Sequence, residues 1–169
     1  MAFVVEDGTV VPDANAYITA VFANTYFADR GIDAWGALST DNKQQAIVQA
    51  TSYIDARWFN VFRGTLVSET QPLSFPRRYL TADSVMPIPL LKATAEYALR
   101  ASIAPLAPDI TYDETNRLYT KKVEEVGPIK EEYSFTGSDS QPSRWRAYPA
   151  ADIFIASLLR LASNSLVRA

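Results

Sequence analysis

The sequence predicts a mainly α protein: a small bundle of about four helices with an added β-hairpin or short strands and extended terminal arms. Apolar residues recur at helical spacing in several stretches, and those stretches are bounded by capping residues and prolines. One later segment instead interleaves charged and β-branched residues around Gly127-Pro128. The chain has 169 residues, 48% apolar and 12% aromatic, which is enough to bury one core and too few for two well-built domains.

The chain opens with Phe3-Val4-Val5, a turn signal at Asp7-Gly8, and a second short run at Thr9-Val10-Val11, which predicts a small hairpin or a bent arm. A first helix is expected after a cap at Asp13 or Asn15, with Ile18, Val21, Phe22 and Tyr26 on one face and a stop at Gly31. Asp33 to Ala37 suits a single turn carrying Trp35. Ser39, Thr40 and Asp41 offer caps for a second long helix, with Ala46, Ile47, Ala50, Ile54 and Trp58 on its core face, ending near Phe59 or Asn60.

Between Gly64 and Pro89, four prolines forbid a regular helix, so this stretch reads as a long ordered loop or covering strap. Pro89 fits the first turn of a third helix that runs to about Ala104 and buries Leu91, Ala95, Ala98, Leu99 and Ile103. Leu118 to Val126 and Ile129 to Phe135 are strand-like and are separated by Gly127-Pro128, which predicts a hairpin or one strand bent at Gly-Pro. Thr136 to Ser143 has loop composition, and a last helix is expected from about Ala150 to Ala162. The expected organisation is therefore a helical bundle with a β element over 1–135, followed by a loop and a C-terminal helix or arm over 136–169. That last helix is too apolar to face water all round. It either completes the core or docks into another chain, with Trp145, Tyr148, Ile153, Phe154, Leu158 and Leu159 as anchors.

Chemistry is limited by what the chain lacks. It has no His and no Cys, which excludes disulfides, imidazole or thiolate metal sites and histidine-based catalytic triads. No glycine-rich phosphate cradle is present, and the acidic pairs Asp113-Glu114, Glu124-Glu125 and Glu131-Glu132 read as solvated charge. No catalytic residue, metal site or cofactor is expected, and the protein is not expected to be an enzyme. The N-terminal stretch lacks the basic start and apolar run of a secretory leader, and no membrane span is evident, so a soluble protein is expected.

The net charge of −3 conceals alternating blocks: −5 over 1–56, +3 over 57–108, −4 over 109–140 and +3 over 141–169. Eleven of the sixteen bases are Arg, the residue favoured at interfaces for its planar fork. Arg57, Arg63, Arg77, Arg78 and Arg100 lie in the first basic block and are the candidates for contact with a neighbouring subunit or with DNA.

The chain also resembles a known family. Val5-Glu6-Asp7-Gly8-Thr9, Pro12-Asp13-Ala14-Asn15-Ala16-Tyr17, Tyr26-Phe27-Ala28-Asp29-Arg30-Gly31, Ala50-Thr51-Ser52-Tyr53-Ile54-Asp55-Ala56-Arg57, Gln71-Pro72-Leu73-Ser74-Phe75-Pro76-Arg77 and Lys92-Ala93-Thr94-Ala95-Glu96-Tyr97-Ala98-Leu99-Arg100 occur in order. They resemble a tailed-phage family often labelled DnaT-like single-stranded-DNA-binding proteins, whose members look like head-to-tail adaptors. Phe75 stands where Trp is expected before Pro-Arg, and Gln71-Pro72 where Gln-Ala is common; neither change removes a functional group.

The resemblance implies a ring of twelve copies in the virion neck, made in the host bacterial cytoplasm. One face would bind the portal protein and the other a tail-side connector or tail terminator protein. Double-stranded genomic DNA would pass through the lumen with weak contact, and no membrane would be involved. The alternative implied by the family label is a single-stranded-DNA-binding protein of phage replication.

Overall fold

A computed structural model of the chain describes residues 2–80, 85–108 and 145–160, together with the backbone of 121–126 and 129–134. The chain divides into two compact units, one made of Met1–Leu106 with Ala147–Ala169 and the other of Ala107–Arg146. The fold is mainly helical, with five helices among the described residues. The C-terminal helix thus shares a unit with the N-terminal bundle, although the sequence reading places it in a separate segment.

In the first unit the N-terminus forms a bent arm. The backbone N–H groups of Asn15 and Ala16 donate to the Val4 carbonyl at 2.9 and 3.1 Å, and Val5 bridges Ala16 in a parallel sense. The second run does not return along the first because the buried Glu6 carboxylate gathers it into a loop. That carboxylate accepts from the N–H groups of Gly8 (2.8 Å), Val10 (3.0 Å) and Val11 (2.9 Å). Gly8, Val10 and Asp13 take left-handed backbone angles to make these turns.

Helix α1 (Ala20–Ala28) begins later than the sequence suggests, with Thr19 as its cap accepting from Phe22 N–H at 3.0 Å. The expected cap, Asn15, is engaged instead with the arm, accepting from Val4 N–H and donating to the Ala2 carbonyl. Helix α2 (Asp33–Gly36) is the expected single turn and buries Trp35, whose Nε1 donates to Asn24 Oδ1 at 3.0 Å. Helix α3 (Thr40–Trp58) starts at the expected Ser39 cap and buries Ala46, Ile47, Ala50, Thr51, Tyr53 and Ile54. Its last residue, Trp58, lies just short of the expected end at Phe59 or Asn60.

The proline-rich stretch contains a short antiparallel pair, β1 (Thr65–Leu66) with β2 (Arg77–Arg78). Gly64, at φ +74°, lies so close to this pair that a Cβ there would sit 2.2 Å from the Arg78 carbonyl oxygen. Helix α4 (Ile88–Ala101) carries Pro89 in its first turn and is the centre of the bundle, touching α1, α3 and the last helix. Its buried face is consequently broad, running through Leu90 and Ala93 to Ala98 and including Thr94 and Glu96. Leu91 and Leu99 are half-buried because packing on three sides spreads the buried face beyond the expected stripe. Ile103 is exposed because the helix ends at Ala101, short of the expected Ala104.

Helix α5 (Pro149–Ala156) is shorter than expected and packs on α4 through Ala151 and Ile155, with Leu158 buried just beyond its end. No helix among the described residues is long and apolar enough to cross a membrane. In the second unit, β3 (Lys121–Val126) and β4 (Ile129–Ser134) form an antiparallel hairpin that pairs Val126 with Ile129. The Gly127-Pro128 turn, residues 118–120, the 136–143 loop and the tail from 161 onward lie outside the described residues.

Candidate functional site

The five candidate arginines are best followed through the three polar clusters that stitch the first unit together. At the first, the Arg57 guanidinium meets the Asp152 carboxylate at 3.1 and 3.2 Å, joining α3 to α5. Asp152 also accepts from the Tyr97 hydroxyl and from Tyr148 N–H (3.1 Å), so one carboxylate binds three elements. The rings of Tyr53, Tyr97 and Tyr148 pack around it with centroids 5.1 to 6.0 Å apart. Burial, reinforced by the Asp152 hydrogen bond, pushes the Tyr97 phenol well up. Burial also raises Tyr53, with Arg57 opposing it.

A second cluster lies where α3 meets the proline-rich strap. Asp55 accepts from the Tyr17 hydroxyl and from Ser74 N–H (3.1 Å). Its own carboxyl is raised by burial, and Tyr17 is raised well above the ordinary phenol range by burial and by the Asp55 charge. Beside it, buried Arg77 spends its donors on backbone: Nε to the Arg63 carbonyl (2.8 Å), Nη2 to Gly64 (3.1 Å) and Nη1 to Ser74 (3.3 Å). Arg77 therefore braces the turn that brings β1 to β2.

The third cluster fastens α1 to α4. Tyr26 donates to Glu96 at 2.9 Å, Arg100 pairs with the same carboxylate at 2.8 Å, and the Arg30 guanidinium lies 3.5 Å from the Tyr26 ring centroid. Burial and the Glu96 contact push the Tyr26 phenol up to about 12. Tyrosines raised in this way stay protonated and donate to carboxylates, which is the reverse of what an activated nucleophile needs.

Arg63 and Arg78 differ from the other three in being exposed. Arg63 still reaches the Ser157 carbonyl, and Arg78 reaches the Val67 carbonyl at 2.9 Å. All five candidates thus have a partner within the chain; Arg77 is buried, and Arg57 and Arg100 are half-buried.

The C-terminal candidates separate by position. Leu158 is only 4% exposed and belongs to the core, while Ile153 is 70% exposed. Phe154 and Leu159 are half-buried, and Lys92 Nζ approaches the Phe154 ring. Trp145 and Tyr148 are also half-buried; the Tyr148 hydroxyl donates to the Leu106 carbonyl at 2.8 Å. A backbone clasp closes this end: Leu159 bridges Phe62, Arg63 N–H donates to the Leu158 carbonyl, and Arg160 N–H donates to the Val61 carbonyl. Leu158 and the clasp thus serve the chain's own core, leaving Ile153 as the outward residue.

Sequence inspection missed Asp152, Tyr97, Asp55 and Glu96, since lone acids and tyrosines on amphipathic helices carry no spacing signal. It also missed Tyr79. That side chain is 91% exposed at the end of β2, on a left-handed backbone (φ 63°) that tyrosine seldom adopts. Along the first half of α3 lies an open groove of about 510 Å³ between the arm and the helix, lined by Phe3, Asn15, Asp41, Gln45, Val48 and Gln49. Among the described residues no group of three or more acids is placed to hold a metal ion.

Comparison with known proteins gives one match. Residues 1–169 fit the model of the family described as "Putative DnaT-like ssDNA binding protein". No curated protein and no solved structure matches the chain.

Proposed function

Because the chain belongs to this DnaT-like family over its whole length, we propose that it works within it by contact rather than by catalysis, as a head-to-tail adaptor of a tailed bacteriophage. In this reading it forms a ring, of twelve copies by resemblance, between the portal protein and a tail-side connector or terminator. Genomic duplex passes through with weak contact. The observation that carries the proposal is the use made of the basic block. Arg57 joins α3 to α5, Arg77 braces the strap, and Arg100 pairs with Glu96 one turn away on α4, so their charge serves the fold instead of a phosphate backbone.

The family description favours a second reading, in which the chain binds single-stranded DNA during replication. It names that ligand directly and so supports this alternative more closely than it supports the adaptor. Exposed Arg63, Arg78 and Tyr79 are the described residues from which phosphate and base-stacking contacts would be built.

Fluorescence anisotropy with a labelled oligothymidine separates the two. A single-strand binder using several Arg and Lys contacts would bind at micromolar levels or tighter, with affinity falling steeply between about 50 and 200 mM salt. The adaptor should bind weakly, and micrographs of the protein mixed with portal should show rings attached on one side. Tight, salt-sensitive binding without rings would overturn the adaptor.

A further inference from the structure

We propose that copies of this chain join head to tail, with Tyr79 and Arg78 of one copy entering the groove at the start of α3 of the next. The inference deepens the ring reading and rests on it. Three features of the first unit lead to it.

Tyr79 is a large aromatic held out from the surface by β2 on a backbone conformation that costs energy to keep. Exposed Arg78 stands beside it, and exposed Arg63 lies at the turn that leads into β1. Tyrosine and arginine are both among the residues enriched at interface hot spots.

The groove supplies what that tip lacks. Its carboxamides, from Asn15, Gln45 and Gln49, can both donate and accept, which suits a phenol hydroxyl. Phe3 and Val48 offer apolar contact to the ring, and the Asp41 carboxylate is available to a guanidinium. The balance of exposed charge has the matching sign: Asp7, Asp13, Asp29, Asp33 and Asp41 outnumber Arg30 on the arm, around α2 and at the start of α3, whereas Arg63, Arg78 and Arg160 outnumber Glu69 on the strap and the C-terminal clasp.

The groove is lined by the first half of α3, Asp41 to Gln49, whereas the tip lies on the strap that follows that helix. Tip and groove are thus different patches of one chain, and in the proposed contact the tip of one copy fills the groove of another. A contact between unlike patches is heterologous, and it generates a ring when the rotation closes.

Two sets of variants test the contact in the full-length chain. Arg78→Glu, Asp41→Arg and Tyr79→Ala should each raise the concentration for half-assembly, seen by sedimentation velocity, by about tenfold or more. The double variant Arg78→Glu/Asp41→Arg should recover to within about threefold of the parent, because the restored pair faces across every interface. Circular dichroism should show all four folded. In an Arg78→Lys chain, zero-length amine–carboxylate coupling should yield an intermolecular peptide joining position 78 to position 41. Oligomers that form without that cross-link and ignore the charge reversals would overturn the contact and leave the ring standing. A chain that forms no oligomer, alone or on portal, would overturn both.

Discussion

Replacing Asp152 with Ala should loosen the C-terminal helix while leaving the rest of the bundle folded. The carboxylate accepts from the Arg57 guanidinium, the Tyr97 hydroxyl and Tyr148 N–H, so its removal orphans donors on three elements. The side chains of Arg57 and Asp152 are 12% and 23% exposed. Breaking a buried pair from one side costs about 3–5 kcal/mol, and partial access of water places this case near 3 kcal/mol. For a chain of this length that corresponds to a fall in Tm of about 6–12 °C.

Urea titration followed by far-ultraviolet circular dichroism measures the loss, and limited proteolysis reports whether residues 147–160 become cleavable first. Asp152→Asn keeps one acceptor and should lose about half as much. An Arg57→Met/Asp152→Leu double variant removes both charges together and should return to within about 1 kcal/mol of the parent. A loss below about 1 kcal/mol for Asp152→Ala, with the C-terminal segment still protected, would refute the idea that this carboxylate pins α5.

Other expectations concern the arm, the strap and high pH. Glu6→Ala strands three N–H groups in the N-terminal loop and should cost about 3 kcal/mol by thermal melting, with the first cleavage by protease falling before residue 18. Gly31→Ala places a side chain at φ +65° with nothing within 4 Å and should cost about 1 kcal/mol by urea titration. Gly64→Ala adds a clash with the Arg78 carbonyl to the same backbone strain and should cost clearly more. Tyr26 titrates at about 12 when folded, above the ordinary phenol value of 10.0, so its protonated form is the one the fold favours. Its contribution is complete below pH 10 and is lost as pH rises toward about 12, with a slope near 1.4 kcal/mol per pH unit in that window. Tyr26→Phe should make alkaline urea titrations shallower by that amount, and an unchanged slope would show that Tyr26 is not coupled to folding.

How far the sequence foretells this molecule depends on whether a feature is local. Ser39 as a cap, Pro89 in a first turn and the single turn around Trp35 are decided within a few residues, and all three are found where the sequence puts them. Of the hairpin and the single bent strand that the sequence allows around Gly127-Pro128, the β3–β4 pairing shows the hairpin. The start of α1 was misplaced because Asn15, a good cap by chemistry, is taken by the arm eleven residues earlier. The face of α4 shifted because a helix packed on three sides has no single stripe to display. The candidate site was legible only as residue types. That arginines and aromatics would matter follows from composition, but Arg57 is placed by Asp152, far along the chain, and Arg77 by the Arg63 and Gly64 carbonyls across the strap, whereas only Arg100 has its acid one helical turn away.

The same partition bears on what the surface can do. With Arg77 buried and Arg57 half-buried in its pair, the exposed cations near the end of α3 are Arg63, Arg78 and Arg160, joined there by an exposed tyrosine. Exposed acids outnumber exposed bases on the arm, on α2 and at the start of α3. Charge divided in this way between two patches is a polarity that a subunit can use to choose the orientation of its neighbour. A uniform basic coat would serve a nucleic-acid chain equally well from any side, whereas a polar subunit discriminates between its two patches. Salt should therefore act differently in the two cases. Screening at about 0.5 M would weaken an electrostatically steered ring contact only in part, because the Tyr79 insertion is apolar, while phosphate binding would fall by orders of magnitude. Assembly that persists at this ionic strength while oligonucleotide binding is absent would favour the adaptor. Assembly that vanishes in parallel with oligonucleotide binding would show that the same exposed arginines serve a phosphate backbone.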